Sequence, residues 1–179
     1  MKKRIIIFID GGNLYHILKS IFPDKKPNDF NFEKFIEDIS KFGEYIETYY
    51  YNVPLDIMQN KEKYIKQQRF FDKIKRITNF NFILCRMLKR NIDGKIIYEA
   101  KEDDIYLAVD MVSLAYEDKY DVAILISSDG DFVSAIKAVQ KIGKEIANIG
   151  FERKFSYHLK QVSNIFKILK KEEIAGFFD

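Results

Sequence analysis

Two short runs of unbroken, mostly β-branched apolar residues, Ile5 to Ile9 and Val122 to Ile126, constrain this chain more than any other feature. A strand with one wet face alternates apolar and polar residues. An unbroken run instead suits a strand buried on both faces, as in a parallel sheet covered by helices. Weaker runs lie at Tyr45 to Val53, Phe80 to Cys85, Glu145 to Ile149 and Ile165 to Leu169. Helical periodicity fills the intervals, at Leu14 to Phe22, Phe32 to Phe42, Lys61 to Ile77, Asp104 to Tyr116 and Phe132 to Ile142. This alternation predicts a doubly wound α/β sheet. One segment breaks the rhythm: in RMLKRNIDGKIIYEA, Asp93-Gly94 separates two partly apolar runs, which predicts a small β-hairpin excursion near 86–98 at the sheet's edge.

A length of 179 residues fits one domain, taken as 1–169, with 170–179 as a short C-terminal helix or tail. Hydrophobic residues make up 47% and charged residues 32%, with only 8 Gly and 3 Pro, which excludes a disordered or collagen-like chain. The 30 basic and 27 acidic side chains nearly cancel, so any footprint for a nucleic acid must be local. The single cysteine, Cys85, allows no internal disulfide and no cysteine cluster for zinc, which makes a reducing cytoplasm the expected location. The basic start MKKR precedes only five apolar residues, short of the roughly 7–15 of a signal core. No stretch approaches the roughly 20 apolar residues of a membrane span, so no membrane partner is expected.

In a parallel α/β sheet, ligands bind beyond the carboxyl ends of the strands, where strand order reverses. Acids gather there. Asp10 ends the first run in FIDGGNLY, with Gly11-Gly12 giving a tight turn and Asn13 opening the next helix. Asp129 and Asp131 follow another run in ILISSDGDF. The helix of KEDDIYLAVDMVSLA adds Asp103, Asp104 and Asp110, and its apolar residues suggest burial around most of its circumference. Each acid also has a purely structural reading: Asp103 or Asp104 as a first-turn cap, Asp131 as a cap of the helix from Phe132, Asn13 as a cap of its own helix. Carboxylates brought together raise one another's pKa unless a cation stands among them. With oxygen donors and no Cys or His cluster, Mg²⁺ or Mn²⁺ is the matching ion. His16 and His158 are isolated in sequence and read as surface or packing residues.

The set FIDGGNLY, then K-x-x-D at Lys101 to Asp104 with AVD at Ala108 to Asp110, then ISSDGDF, resembles the NYN family, the LabA-like branch of the PIN-domain ribonucleases. The likeness spans Ile5 to about Leu169. It implies a Rossmann-like three-layer α/β/α fold carrying a Mg²⁺- or Mn²⁺-dependent ribonuclease site. The family's first aspartate falls on Asp10, its asparagine on Asn13, its helix aspartate on Asp104, and its later pair on Asp129 and Asp131. Asp110 matches a further family acid. Two departures stand out. The family has glycine where this chain has Glu102, followed by the additional Asp103; and where the family often has an aspartate after S-x-x-L, here Ser156 to Leu159, this chain has Asn164.

The function expected is metal-assisted hydrolysis of RNA, single-stranded, with Asp10, Asp104 and Asp129 holding one or two ions, and Asp131 and Asn13 completing the catalytic set. Substrate contacts are expected from Lys101, Arg86, Lys89, Arg153 and Ser156, with Arg90 and Lys154 nearby and Tyr98 or Phe151 stacking on a base. Two other functions remain open: a PIN-like module that binds RNA or protein without turnover, and a haloacid-dehalogenase-like phosphatase, which normally carries an acid where this chain has Gly12. The aromatic segment Tyr49 to Tyr51 raises the further prospect of a homo-oligomer that pairs along an edge.

Overall fold

The computed structural model describes residues 2–93 and 95–178, the side chains of 99–101 excepted. In chain order its elements are β1 (Arg4–Asp10), α1 (Gly11–Ile21), α2 (Phe32–Ile39), β2 (Glu44–Asn52), α3 (Lys61–Ile74) and β3 (Phe80–Leu84). There follow β4 (Arg86–Ile92), β5 (Lys95–Lys101), α4 (Asp103–Tyr116), β6 (Val122–Ile126), α5 (Val133–Lys141), β7 (Glu145–Phe151), α6 (Tyr157–Val162), β8 (Ile165–Leu169) and α7 (Lys171–Ala175). Six strands form one sheet in the order β3-β2-β1-β6-β7-β8, every neighbouring pair parallel. The chain winds outward from β1 to β3, returns to the middle, and winds the other way from β6 to β8. The order therefore reverses between β1 and β6, and in such sheets ligands bind beyond the carboxyl ends of the strands at that point. The expected α/β/α sandwich with a mainly parallel sheet is the fold observed.

The unbroken apolar runs become the two central strands because both their faces are covered. Along β1, Ile5, Ile7 and Ile9 pack with Leu14 and Ile17 of α1, Phe35 and Ile36 of α2 and Phe71 of α3. Ile6 and Phe8 pack on the other side with Leu107 and Met111 of α4 and Ile136 and Val139 of α5. Residues 5 to 9 are fully buried (0% exposed). Burying one such side chain stabilises by about 1.5–3 kcal/mol, so these strands anchor the sheet. Side-chain oxygens cap the first turns of α1 (Asp10), α2 (Asn31) and α3 (Asn60). After α7, Phe177 and Phe178 pack against Phe30, which also forms a β-bridge with Phe178. No described helix is long and apolar enough to cross a membrane.

The hairpin excursion is present: β4 and β5 pair antiparallel as a separate two-stranded ribbon. Other expectations need correction. Tyr49 to Tyr51 do not form an edge, since β2 lies between β1 and β3, and Tyr50 and Tyr51 are buried. Phe151 is buried in the core and cannot stack on a base. Helix α4 is not buried all round: Leu107, Met111 and Ala115 face the sheet, while Ile105, Val109 and Tyr116 are exposed. Helix α6 was not foreseen.

The two ends of the sheet differ in charge pairing. At the amino end, the Arg4 guanidinium donates to Asp121 at 2.9 Å and to Asp118 at 2.8 Å, and Lys144 pairs with Asp118. Hydrogen bonds from Arg4 hold the Asp121 carboxyl well below its ordinary range, and Lys144 with Arg4 lowers that of Asp118. Every described acid in this group has a cation. At the carboxyl end Glu102 pairs with Arg86, but no described lysine or arginine pairs with Asp10, Asp103, Asp104, Asp129 or Asp131.

Candidate active site

Asp10 is the most buried of the acids at the carboxyl end of the sheet. Period-2 alternation along β1 sets it on the side of Ile6 and Phe8, which is the side of α4. Its Oδ1 accepts the Asn13 backbone N–H at 2.9 Å, and its Oδ2 accepts the Ser127 hydroxyl at 3.0 Å. Burial pushes its pKa up to about 7, against the lowering effect of the Asn13 N–H; the charge of Asp104 raises it, the Ser127 hydroxyl lowers it, and Asp103 raises it again. Only 7% of Asp10 is exposed, so a carboxylate here has lost most of its water.

The second strand end supplies a hydrogen-bonded loop. The Ser127 hydroxyl, besides donating to Asp10, accepts the Asp129 N–H at 3.0 Å. Asp129 Oδ1 in turn accepts the Asp131 N–H at 2.9 Å, capping a short 3₁₀ turn over Gly130–Phe132 that leads into α5. Asn13 Oδ1 accepts the Ser128 N–H at 3.0 Å and its hydroxyl at 3.1 Å, tying the start of α1 to the loop after β6. From β7, the buried Asn148 donates to the carbonyls of Leu125 at 3.1 Å and Ser127 at 3.0 Å, which fixes where β6 ends. Asn13, Ser127 and Asn148 thereby hold the two acidic strand ends in register.

Helix α4 carries the third group to the same place. Asp104, although its side chain reaches solvent, has its pKa pushed up to about 6, by partial desolvation and by the charges of Asp103, Asp129 and Asp131. Asp10, Asp103, Asp104, Asp129 and Asp131 therefore share one electrostatic field. Among the described residues no lysine or arginine pairs with any of them, the opposite of the amino end. Cys85, at the end of β3, reports the same field: burial and then Asp103, Glu102, Asp110 and Asp104 push its thiol up to about 12. Asp110 stands apart, accepting the Tyr51 hydroxyl at 2.8 Å, a tie between α4 and β2.

The donor set fits a hard divalent ion, because the converging atoms are carboxylate oxygens. Among the described residues no group of three or more His, Cys, Asp or Glu side chains is arranged to enclose an ion by itself. That suits a cation such as Mg²⁺, which keeps several waters and takes one or two carboxylates together with substrate phosphate oxygens.

The flanking residues sort into those at the cleft and those elsewhere. Ser156 caps α6, and a Cβ built on Gly130 would stand 3.7 Å from its hydroxyl and 3.5 Å from His158 Nδ1. Ser156 thus lies beside the acidic loop. His158, read from the sequence as a surface or packing residue, is exposed beside the same loop; the S-x-x-L pattern around it was the available signal. Arg86 pairs with Glu102, at the root of the ribbon and one residue from Asp103. Lys89 lies over the Tyr98 ring, 5.8 Å from its centroid. Arg153 and Lys154 are exposed in the turn after β7. The Lys101 side chain lies outside the described residues. Asn164, where the resemblance led one to look for an acid, bonds to Gln140 and to the Ile146 N–H at 2.9 Å, at the amino end of the sheet and away from the cleft.

Glu102 occupies the position just before α4 with φ of 78°, a left-handed conformation natural to glycine. Replacing it by Gly or by Ala loses the Arg86 pair equally, but only Gly relieves the backbone. Thermal denaturation should therefore find Glu102→Gly more stable than Glu102→Ala by about 1 kcal/mol.

The family model of the NYN domain matches residues 4–170. The uncharacterized protein MJ0482 of Methanocaldococcus jannaschii is 26% identical over 161 residues, which cover 90% of this chain and 53% of that protein. The chain thus spans about half the length of the curated relative it matches. A crystal structure of a protein of unknown function, VPA0982 from Vibrio parahaemolyticus, superposes with a TM-score of 0.67 at 20% identity, covering 94% of this chain and 93% of that one. That likeness concerns the fold.

Proposed function

Since the chain belongs to the NYN domain family of PIN-like nucleases, we propose that it is a ribonuclease of the LabA-like branch, hydrolysing RNA phosphodiester bonds with Mg²⁺ or Mn²⁺ at the carboxyl end of its sheet. The observation that carries the reading is Asp10, a buried carboxyl raised to about 7 that shares its field with Asp104 and has no described cation beside it. Desolvation and the neighbouring acids disfavour the ionised forms of Asp10 and Asp104, which a bound cation reverses.

Asp10, Asp104 and Asp129 would hold the ion, one or two of them directly and the rest through its waters, and it would supply a bound water of lowered pKa and offset charge on the scissile phosphate. The chain's own residues orient the reactants. Ser127 and the Asn13 N–H each take one oxygen of Asp10, leaving its remaining lone pairs directed by two fixed bonds. Asn13 also clamps the loop at Ser128, so the Asp129 carboxylate keeps its place relative to Asp10. Asp131, exposed at the rim, would accept a proton from the attacking water. Ser156, Arg86 and Arg153 would meet the phosphates on either side. No nucleophilic side chain is required.

The test is cleavage of labelled single-stranded RNA by purified protein. Cleavage should appear with Mg²⁺ or Mn²⁺, vanish in EDTA, and fall about 10²-fold or more in Asp104→Asn, because ligand loss costs at least what loss of an outer-shell partner does. Metal-independent binding without turnover would favour the non-catalytic module instead.

A further inference from the structure

We infer that one face of the β4–β5 ribbon grips the sugar-phosphate backbone of the RNA strand where it leaves the acidic cleft, an inference that rests on the nuclease reading above. The ribbon pairs with no strand of the main sheet, and its feet are at the site: β4 starts just after Cys85 at the end of β3, and β5 ends just before the acids that open α4. Its register sorts its side chains into two faces. Lys89 lies opposite Tyr98 and Asn91 opposite Ile96, whereas Arg90 lies opposite Ile97 and Ile92 opposite Lys95. Directly opposed residues share a face and successive residues alternate. Among the described side chains, one face therefore carries Arg86, Leu88, Arg90, Ile92, Lys95 and Ile97. The other carries Met87, Lys89, Asn91, Ile96 and Tyr98, and its lysine is placed over its tyrosine ring.

The first face has the features a nucleic-acid strand needs. Its lower end touches the cleft, since Arg86 pairs with Glu102. Farther out, Arg90 and Lys95 alternate with Ile92 and Ile97, which are 48% and 46% exposed. A phosphate polymer approaching five acids is repelled by them, so cations close to that cleft must hold the strand on either side of the reacting phosphate. The aliphatic residues between the cations offer ribose and base edges a dry surface. A single strand suits this better than a duplex, because the deep, narrow major groove of A-form RNA does not admit a ribbon. Charge complementarity favours RNA here over a second copy of the chain, which would bring another basic ribbon.

The experiment measures binding of a fluorescein-labelled single-stranded RNA by anisotropy in EDTA between 50 and 200 mM salt, with cleavage kinetics in Mn²⁺ run separately. Three proteins are compared: wild type, Arg90→Gln/Lys95→Gln, and Lys89→Gln. The double variant should bind about tenfold more weakly at low salt and show a salt slope shallower by about 1.4, two phosphate contacts at about 0.7 each. In cleavage its KM should rise while kcat holds. Lys89→Gln, on the opposite face, should stay within about twofold of wild type in both assays. If wild type cleaves RNA and the double variant binds as well as wild type, the ribbon inference fails while the nuclease reading stands. If wild type does not cleave but the double variant alone loses binding, the nuclease reading fails and the gripping face stands. Equal losses in Lys89→Gln and the double variant would overturn the assignment to one face. A dimer in light scattering that Ile92→Asp/Ile97→Asp dissociates, with RNA affinity unchanged, would give the face to a second copy and also overturn it.

Discussion

Asp10→Asn will lower metal-dependent RNA cleavage by about 10²-fold or more, and at the same time raise the melting temperature of the metal-free protein at pH 8. The two effects have one cause. In the folded chain the Asp10 carboxyl titrates near 7 because burial strips its water, whereas its ordinary value is 3.8. A folded-state pKa above the unfolded one means that the native chain holds the proton more tightly. The stability this confers is complete below about pH 4, declines as pH rises, and is lost once pH passes about 7. The full span corresponds to about 4 kcal/mol, at about 1.36 kcal/mol per pKa unit. Asparagine keeps the shape without the charge, so it removes both the site's central ligand and the penalty for ionising it. Thermal melts of the metal-free wild type should show stability falling from pH 5 to pH 8, and Asp10→Asn should flatten that slope. Adding Mg²⁺ at pH 8 should raise the melting temperature of wild type and not that of the variant. Equal slopes for the two proteins would show that Asp10 ionises without hindrance.

Gly11→Ala will destabilise the protein by about 3 kcal/mol, the upper end of the range for overpacking. A Cβ there would stand 2.6 Å from the Tyr51 carbonyl oxygen and collide with the Tyr50 ring. Neither neighbour can yield cheaply. Tyr51 is paired with Asp10 across the β1–β2 ladder, and Tyr50 is 2% exposed and stacked on Phe82. The start of α1 must move instead, and the Asn13 N–H that binds Asp10 moves with it. Melting should fall by roughly 6–12 °C for a chain of this size. Activity should fall further than stability explains when assayed below the transition. Gly12→Ala is the control: its Cβ would meet only Asp10 Oδ1, at an ordinary 3.7 Å, so it should melt close to wild type.

These two residues also mark what sequence reasoning reaches. Asp10, Asp129 and Asp131 were legible because an acid at, or a few residues past, the end of an unbroken apolar run sits near the mouth of a buried strand. The central strands were legible for the same reason. What could not be read were bonds between distant segments. The Ser127 hydroxyl on Asp10 spans 117 residues, and Asn148 reaches Ser127 from 21 residues away. Nothing local in either residue announces such a partner. Helix α4 misled because Ile105 and Val109 have core spacing, and periodicity does not tell an exposed apolar stripe from a buried one. Helix α6, from Tyr157 to Val162, is too short to show a period; only its Ser156 cap signals it. Asn164 looked like a missing catalytic acid until the fold placed it at the opposite end of the sheet.

The reversal of strand order sets a timetable for making this protein. β1 stands in the middle of the sheet, and one of its two ladder partners, β6, begins only at residue 122. At a synthesis rate of roughly 5–20 residues per second, β1 waits roughly 5–25 s on the ribosome with one edge bare. Pairing between segments so far apart is slow, and it leaves an apolar strand open to wrong partners meanwhile. Closing the sheet and bringing Ser127 to Asp10 are a single late event, so a nascent chain lacking β6 has neither a finished core nor an assembled site.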